Sequence, residues 1–438
     1  MKRLLIYTLF SLAVLSGCKK DEEQLIDGQR PEERLTEALT AYKEQLTGSS
    51  HGWKAYLYPA GGGGYAFYLN FSNENRVTML GDLDYDPAEN SSESSYRLKA
   101  IQAPTLSFDT YNYMHLLADP DETTFGGVRG WGYYSDFEFV FDQQSGDTLK
   151  LHGKLLDSKL VMVRATQAEK EAYNNKGLLN AVSTAVDYFQ ANNYLYVTLG
   201  DATRVQTSFN IYNKVFSLTW NDAGTTITNS APFVFTLTGI LLQNPVAYKD
   251  KLISEFLWDP ETGTYYATVG GTRVDVIVSS TPIIPLASLI GINYSGLIIP
   301  NATNYPGWSA DFQTRRAAAA ATMLAGPYRL RLDRMVISFN TTLQSMTLTA
   351  DIYQSATRFT GIFPYSYTKT ADGVFKFTAE APAGNGALIV ADMAPLTTQR
   401  LNADRFTLEY FIHPTTGEVL GQFKSVEHPE FTFSGSLQ

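Results

Sequence analysis

Three times in this chain a Glu–aromatic pair stands eight residues ahead of a glycine in a turn-like setting. The copies are Glu138-Phe139 before Gly146, Glu255-Phe256 before Gly263, and Glu409-Tyr410 before Gly417. They read EFVFDQQSGDTLKLHG, EFLWDPETGTYYATVG and EYFIHPTTGEVLGQFK, and in the first two Gly153 and Gly270 also coincide. Alternating aromatic and polar residues on either side of a Gly that can take a positive φ describe a β-hairpin. The Gly-to-Gly intervals of 117 and 154 residues are domain-sized, which excludes a short-period solenoid. The third copy is the most divergent, with His413 where the others have Asp142 and Asp259.

Each hairpin travels with a helical segment and an aromatic-rich strand. Pro31 to Leu46 places Pro in a first turn, Glu32 and Glu33 where the helix dipole favours acid, and Leu35, Leu39 and Leu46 near one face. Leu178 to Gln190 has apolar residues at helical spacing, and Asp311 to Leu324 contains five consecutive Ala before Gly326-Pro327. Strands are expected to follow at Trp53, Tyr194 and Tyr328. The 27 Tyr and 25 Phe suit antiparallel sheets, and no parallel βαβ series is visible. The expected fold is mainly β: repeated antiparallel β-sheet units, each preceded by a helix, over residues 31–165, 166–291 and 292–438.

The N-terminal sequence sets an expected address. Lys2 and Arg3 precede an apolar run from Leu4 to Leu15 that is too short to span a bilayer. Leu15-Ser16-Gly17-Cys18 then resembles a lipobox, which makes residues 1–17 a lipoprotein signal peptide and Cys18 the lipid attachment site. Cys18 is the single Cys, so the core must hold without disulfides. Residues 18–30 read as an acylated Cys followed by an acidic tether. Without residues 1–17 the 34 Lys and Arg fall to 32 against 44 Asp and Glu, a balance of −12. That sign argues against nucleic acid as a partner.

Motifs for chemistry are sparse. Gly48-Ser49-Ser50-His51-Gly52 matches G-x-S-x-G formally, but it lies in a helix–turn–strand order, the reverse of a nucleophile elbow. The five His show no metal-ligand spacing. Asp82, Asp84, Asp86 and Glu93 have the spacing of a calcium loop, yet Pro87 stands where such loops need Gly, and a plain acidic loop accounts for the same residues. No cofactor is otherwise expected. The segment from Gly126 to Tyr134 could expose Trp131, Tyr133 and Tyr134 for stacking on sugar rings, with Arg129 as a hydrogen-bonding neighbour. Tyr305 and Trp308 form a smaller version. The competing structural reading has these aromatics folded back onto the sheet.

A family resemblance then emerges. Its motifs are Gly52-Trp53-Lys54, Gly61 to Gly64 with Tyr65-Ala66-Phe67-Tyr68, Arg76-Val77-Thr78-Met79 and Ser94 to Leu98. Leu106 to Tyr111, Leu116 to Pro120 and Asp136 to Phe139 continue the set. With Cys18 they resemble an uncharacterised family of Bacteroidetes lipoproteins, domain of unknown function 4302. Lys19-Lys20-Asp21-Glu22-Glu23 is similar to the acidic stretch that sends such lipoproteins to the cell surface. The resemblance implies an outer-membrane lipoprotein facing the exterior, a non-catalytic accessory in glycan or peptide capture beside a TonB-dependent transporter and its lipoprotein partner. It carries over no catalytic residue. A structural subunit of a surface complex and a hydrolase without recognisable motif are the alternatives.

Overall fold

The computed structural model describes residues 31–100, 103–200, 202–222 and 225–438. Cys18 and the acidic tether lie outside the described residues.

The first sheet is a closed antiparallel barrel of eight strands in chain order. These are Trp53–Tyr58, Tyr65–Phe71, Arg76–Gly81, Ser92–Ala100, Pro104–Phe108, Glu138–Ser145, Thr148–Gly153 and Lys159–Arg164. The last strand pairs with the first, Trp53 opposite Arg164 through Tyr58 opposite Lys159. Alternation decides what faces inward: Trp53, Ala55 and Leu57 are fully buried, as are Leu106, Phe139 and Leu160. Eight strands enclose a space that side chains can fill, so this interior is a core rather than a channel. The helix Pro31–Thr47 packs against that core through Leu46 and through Tyr42, which stacks on Phe141 at 3.9 Å. Trp53 Nε1 donates to the Leu46 carbonyl at the end of this helix.

The second sheet repeats the scheme. Seven strands run from Leu195–Leu199 to Thr264–Val269 in chain order. An eighth run changes partner at Val276: Thr272–Asp275 pairs with the seventh strand and Ile277–Val278 with the first. Phe209, Phe216 and Phe256 meet in its interior with ring centroids 4.8–4.9 Å apart.

The third sheet also closes on itself. Its strands are Gly296–Ile299, Arg331–Asn340, Ser345–Gln354, Thr357–Lys369, Phe375–Ala379, Arg405–Ile412, Val419–Ser425 and Thr432–Leu437. Pairing runs from each to the next, and the last returns to the first at Leu297 opposite Leu437. Here the helix Ala310–Ala325 follows the first strand instead of preceding it.

With strands counted this way, the three sequence hairpins occupy the same place: the sixth and seventh strands of each barrel. Gly146, Gly263 and Gly417 sit in their turns at φ 57, 66 and 73°, with nothing near enough to obstruct a Cβ. Glycine is favoured there by the backbone alone. Phe139 and Phe256 point into their cores while Glu255 and Glu409 are exposed. The coincidence of Gly153 with Gly270 does not extend to their roles. Gly270 takes φ 58° in an open turn, whereas a Cβ on Gly153 would lie 1.9 Å from Asp136 Oδ2.

Packing gathers the described residues into two units, the first holding those up to Ser183 with Val234–Leu237, the second holding the other described residues. The strands of the three barrels span residues 53–164, 195–278 and 296–437. Beyond the three expected helices, Gln167–Asn174 forms a helix opened by a capping box between Thr166 and Glu169.

The two glycines give a test. Gly146→Ala should cost about 1 kcal/mol, the penalty of a left-handed L-residue. Gly153→Ala should cost roughly 2–3 kcal/mol, because Asp136 cannot move without breaking its own bonds. Chemical denaturation of the two variants measures the difference, and equal losses would contradict the close approach.

Candidate ligand-binding loop of the first barrel

The fifth and sixth strands of the first barrel are joined by residues 109–137, far longer than a hairpin needs. The loop is built, not slack. Asn112 caps the short helix Tyr113–Leu116 by accepting from Met114 N, and Asp121 caps Glu122–Phe125 by accepting from Thr123 N. Val128 and Gly132 then form an antiparallel bridge that turns the chain. A side chain at Gly127 would strike the Gly132 backbone at 2.4 Å, and one at Gly132 would strike the Leu117 carbonyl at 2.6 Å. These glycines serve close packing of backbone on backbone.

The loop's base is fixed by Asp136, which is buried. Its carboxylate accepts from the backbone N–H of Leu155, Leu156 and Ser158 at 2.8–3.2 Å and from Ser158 Oγ at 2.9 Å. A second tie joins the turn between the first two strands: Ala60 N donates to the Tyr134 carbonyl and Gly61 N to that of Tyr133.

On this frame the expected aromatics divide. Trp131 is 53% exposed and lies nearly parallel to Tyr134, with centroids 5.7 Å apart and planes 18° apart. Tyr133 turns inward, edge-on to Tyr65 and Phe125 against the core. Arg129 is exposed on the same loop. Sequence reasoning missed a second aromatic column: Tyr111 stacks on His115, which stacks on Phe137 at 4.6 Å. Tyr111 and Phe137 are exposed, and the Tyr111 hydroxyl donates to Asp119. Burial lowers the His115 pKa, with a hydrogen bond to the Phe108 backbone opposing it. The length of the loop was the available signal for this site.

The other candidates are placed elsewhere. Trp308 is 7% exposed, donates Nε1 to the Ser434 carbonyl and packs edge-on to Phe312 in the third barrel's core. Tyr305 is half-buried beside it. Both serve packing in the third barrel rather than an open aromatic face.

The calcium spacing comes apart in three dimensions. Asp82 is 1% exposed and accepts from Ala66 N at 2.8 Å and Phe235 N at 2.9 Å, both within the first unit. Asp84 caps a short helix, Tyr85–Glu89, in which Pro87 is buried. Asp86 binds the Asn90 amide and Glu93 pairs with Arg76 at 2.9 Å. Among the described residues no group of three or more His, Cys, Asp or Glu could hold a metal ion.

Glu138 leads out of the loop and is bound by Lys99 at 2.7 Å, Ser107 at 3.1 Å and Lys154 at 3.2 Å. The Lys99 hydrogen bond is the main cause that holds its carboxyl down at about 2, against partial burial pulling the other way. This is the environment of a permanent anion, not of a general acid.

Closed antiparallel barrels, one of which carries a pinned aromatic loop, define the class of the molecule. Residues 25–260 match the family model described as a domain of unknown function, DUF4302. The match covers more than half of the 438 residues, including all of the first barrel and its loop, and the chain belongs to this family. No curated protein matches the chain.

Glu138 has a folded pKa of about 2 against an ordinary 4.5. Its contribution to stability is therefore complete above pH 4.5 and is lost as pH falls toward 2. Glu138→Gln should flatten the decline of melting temperature across that interval, followed by circular dichroism. An unchanged slope would contradict the assignment.

Proposed function

We propose that this chain is a non-catalytic lipoprotein of the outer-membrane surface that captures extracellular glycan for a TonB-dependent uptake system. The loop 109–137 is its contact with the ligand. The observation that carries this reading is the exposed Trp131, set nearly parallel to Tyr134 on a loop fixed at its base by Asp136. An aromatic face held in place before binding loses little conformational freedom when a sugar ring stacks on it. Glycan suits this loop better than peptide because Trp131, Tyr111 and Phe137 present exposed faces rather than an apolar pocket, with Asp119 and Arg129 on the same loop to bond hydroxyls. The address rests on Cys18, the acidic residues after it and the family resemblance.

Isothermal titration of the chain with a panel of oligosaccharides tests the reading. Trp131→Ala should weaken the glycan that binds by about tenfold, equivalent to about 1.4 kcal/mol. The melting temperature of the free protein should not move, because Trp131 packs on the outside. Unchanged affinity in this variant would remove the loop from the binding site.

A further inference from the structure

A second site stands on the second barrel, separate from the aromatic loop and independent of the proposal above. A groove of about 470 Å³ opens between the end of the helix Gly177–Ala191 and the second strand of that barrel, Thr203–Asn210, with its following turn. Its rim carries Gln190, Asn192, Asn193, Asn210 and Tyr212, and its lining contains no charged side chain.

Hydrogen bonding within the protein uses only part of this rim. Asn192 Nδ2 donates to the Tyr188 carbonyl at 2.8 Å, which leaves its oxygen as an acceptor. Asn210 Oδ1 accepts from Tyr212 N and Asn213 N at 3.1 and 2.9 Å, which leaves its NH₂ as a donor. Tyr212 is 78% exposed and offers a ring face. Deeper in the groove Thr207 is 3% exposed, and its hydroxyl is buried with no hydrogen-bond partner. A buried hydroxyl left unpaired is a standing cost, removed when a ligand hydroxyl displaces the side chains that cover it and pairs with it.

We infer that this groove binds an uncharged, polyhydroxylated ligand: a neutral saccharide whose hydroxyls both donate and accept. A charged ligand would meet no counter-charge among the lining residues. A peptide would need apolar sockets for its side chains, whereas Phe189, Leu195 and Phe209 at this groove are already sealed in the core.

The first barrel has a comparable groove of about 570 Å³ beside its own helix, but Lys43, Glu44 and Arg97 line it. Lys43 is bound to Asn75 and Arg97 to Asp109, so that groove lacks the neutral character of the second.

The test titrates the chain calorimetrically with maltotetraose, cellotetraose, xylotetraose and N-acetylchitotetraose. Trigalacturonate serves as a charged control and tetra-alanine as a peptide control. At least one neutral saccharide should bind. Thr207→Val keeps the side-chain shape and removes the hydroxyl, so it should weaken that binding about tenfold while the free protein melts at the same temperature or higher. Asn193→Asp, an exposed change that brings a negative charge to the rim, should weaken it as well. Trp131→Ala should leave this binding intact, which separates the groove from the loop of the first barrel.

The inference is overturned if no neutral saccharide binds, or if binding is insensitive to both groove variants. It is also overturned if trigalacturonate or tetra-alanine binds in a manner that Thr207→Val abolishes.

Discussion

Everything in this fold depends on a last strand finding the first. In each barrel that pairing joins residues far apart in sequence, such as Trp53 with Arg164 or Leu297 with Leu437. It satisfies the backbone groups of two strands that would otherwise be exposed edges. It also seals an interior of eight-stranded size, which aromatic and aliphatic side chains fill completely enough to act as the core. The third barrel shows how much of that core is aromatic: Phe375, Phe377, Phe406, Phe423 and Phe433 form a continuous set of ring contacts at 4.9–6.1 Å.

A filled interior moves recognition outward. A barrel whose axis is occupied by Trp53, Phe67 and Phe139 cannot hold a ligand along that axis, so contact must come from loops or from the mouth. The loop 109–137 departs from the minimal connection, and the groove beside Thr207 leaves a buried hydroxyl unanswered. Both gain rigidity from the barrel beneath them. Asp136 transmits it in one case by gripping three backbone N–H groups, and the paired strands carrying Leu195 and Thr207 in the other.

The hairpins were legible in the sequence because they are local: one glycine with positive φ and an alternating run identify each of them. The three helices were legible for the same reason. Closure was not, since nothing in the first strand announces the eighth. The position of Ala310–Ala325 after the first strand of its barrel was hidden too, because Gly296–Ile299 is a short strand that declares its partner only in the folded chain. Gly153 matched Gly270 by letter and differs by cause, one shaped by a neighbouring carboxylate and the other by its own dihedral. The acidic spacing at Asp82 looked like a cation site because sequence shows charge and not direction; in the fold Asp82 faces inward to backbone donors. At the candidate site the two readings left open by the sequence divide between residues: Trp131 lies on the surface and Tyr133 folds back onto the core. The Tyr111–His115–Phe137 column, assembled from both ends of the loop, had no contiguous signature.

The central claim is that the sheets are closed, and hydrogen exchange at a seam tests it most directly. In the first barrel the amides of Trp53–Tyr58 and Lys159–Arg164 that bond across the closing pair should exchange as slowly as those joining Glu138–Ser145 to Thr148–Gly153. Slow exchange in the hairpin with fast exchange along that seam would mean an open sheet, and would contradict the account at its base.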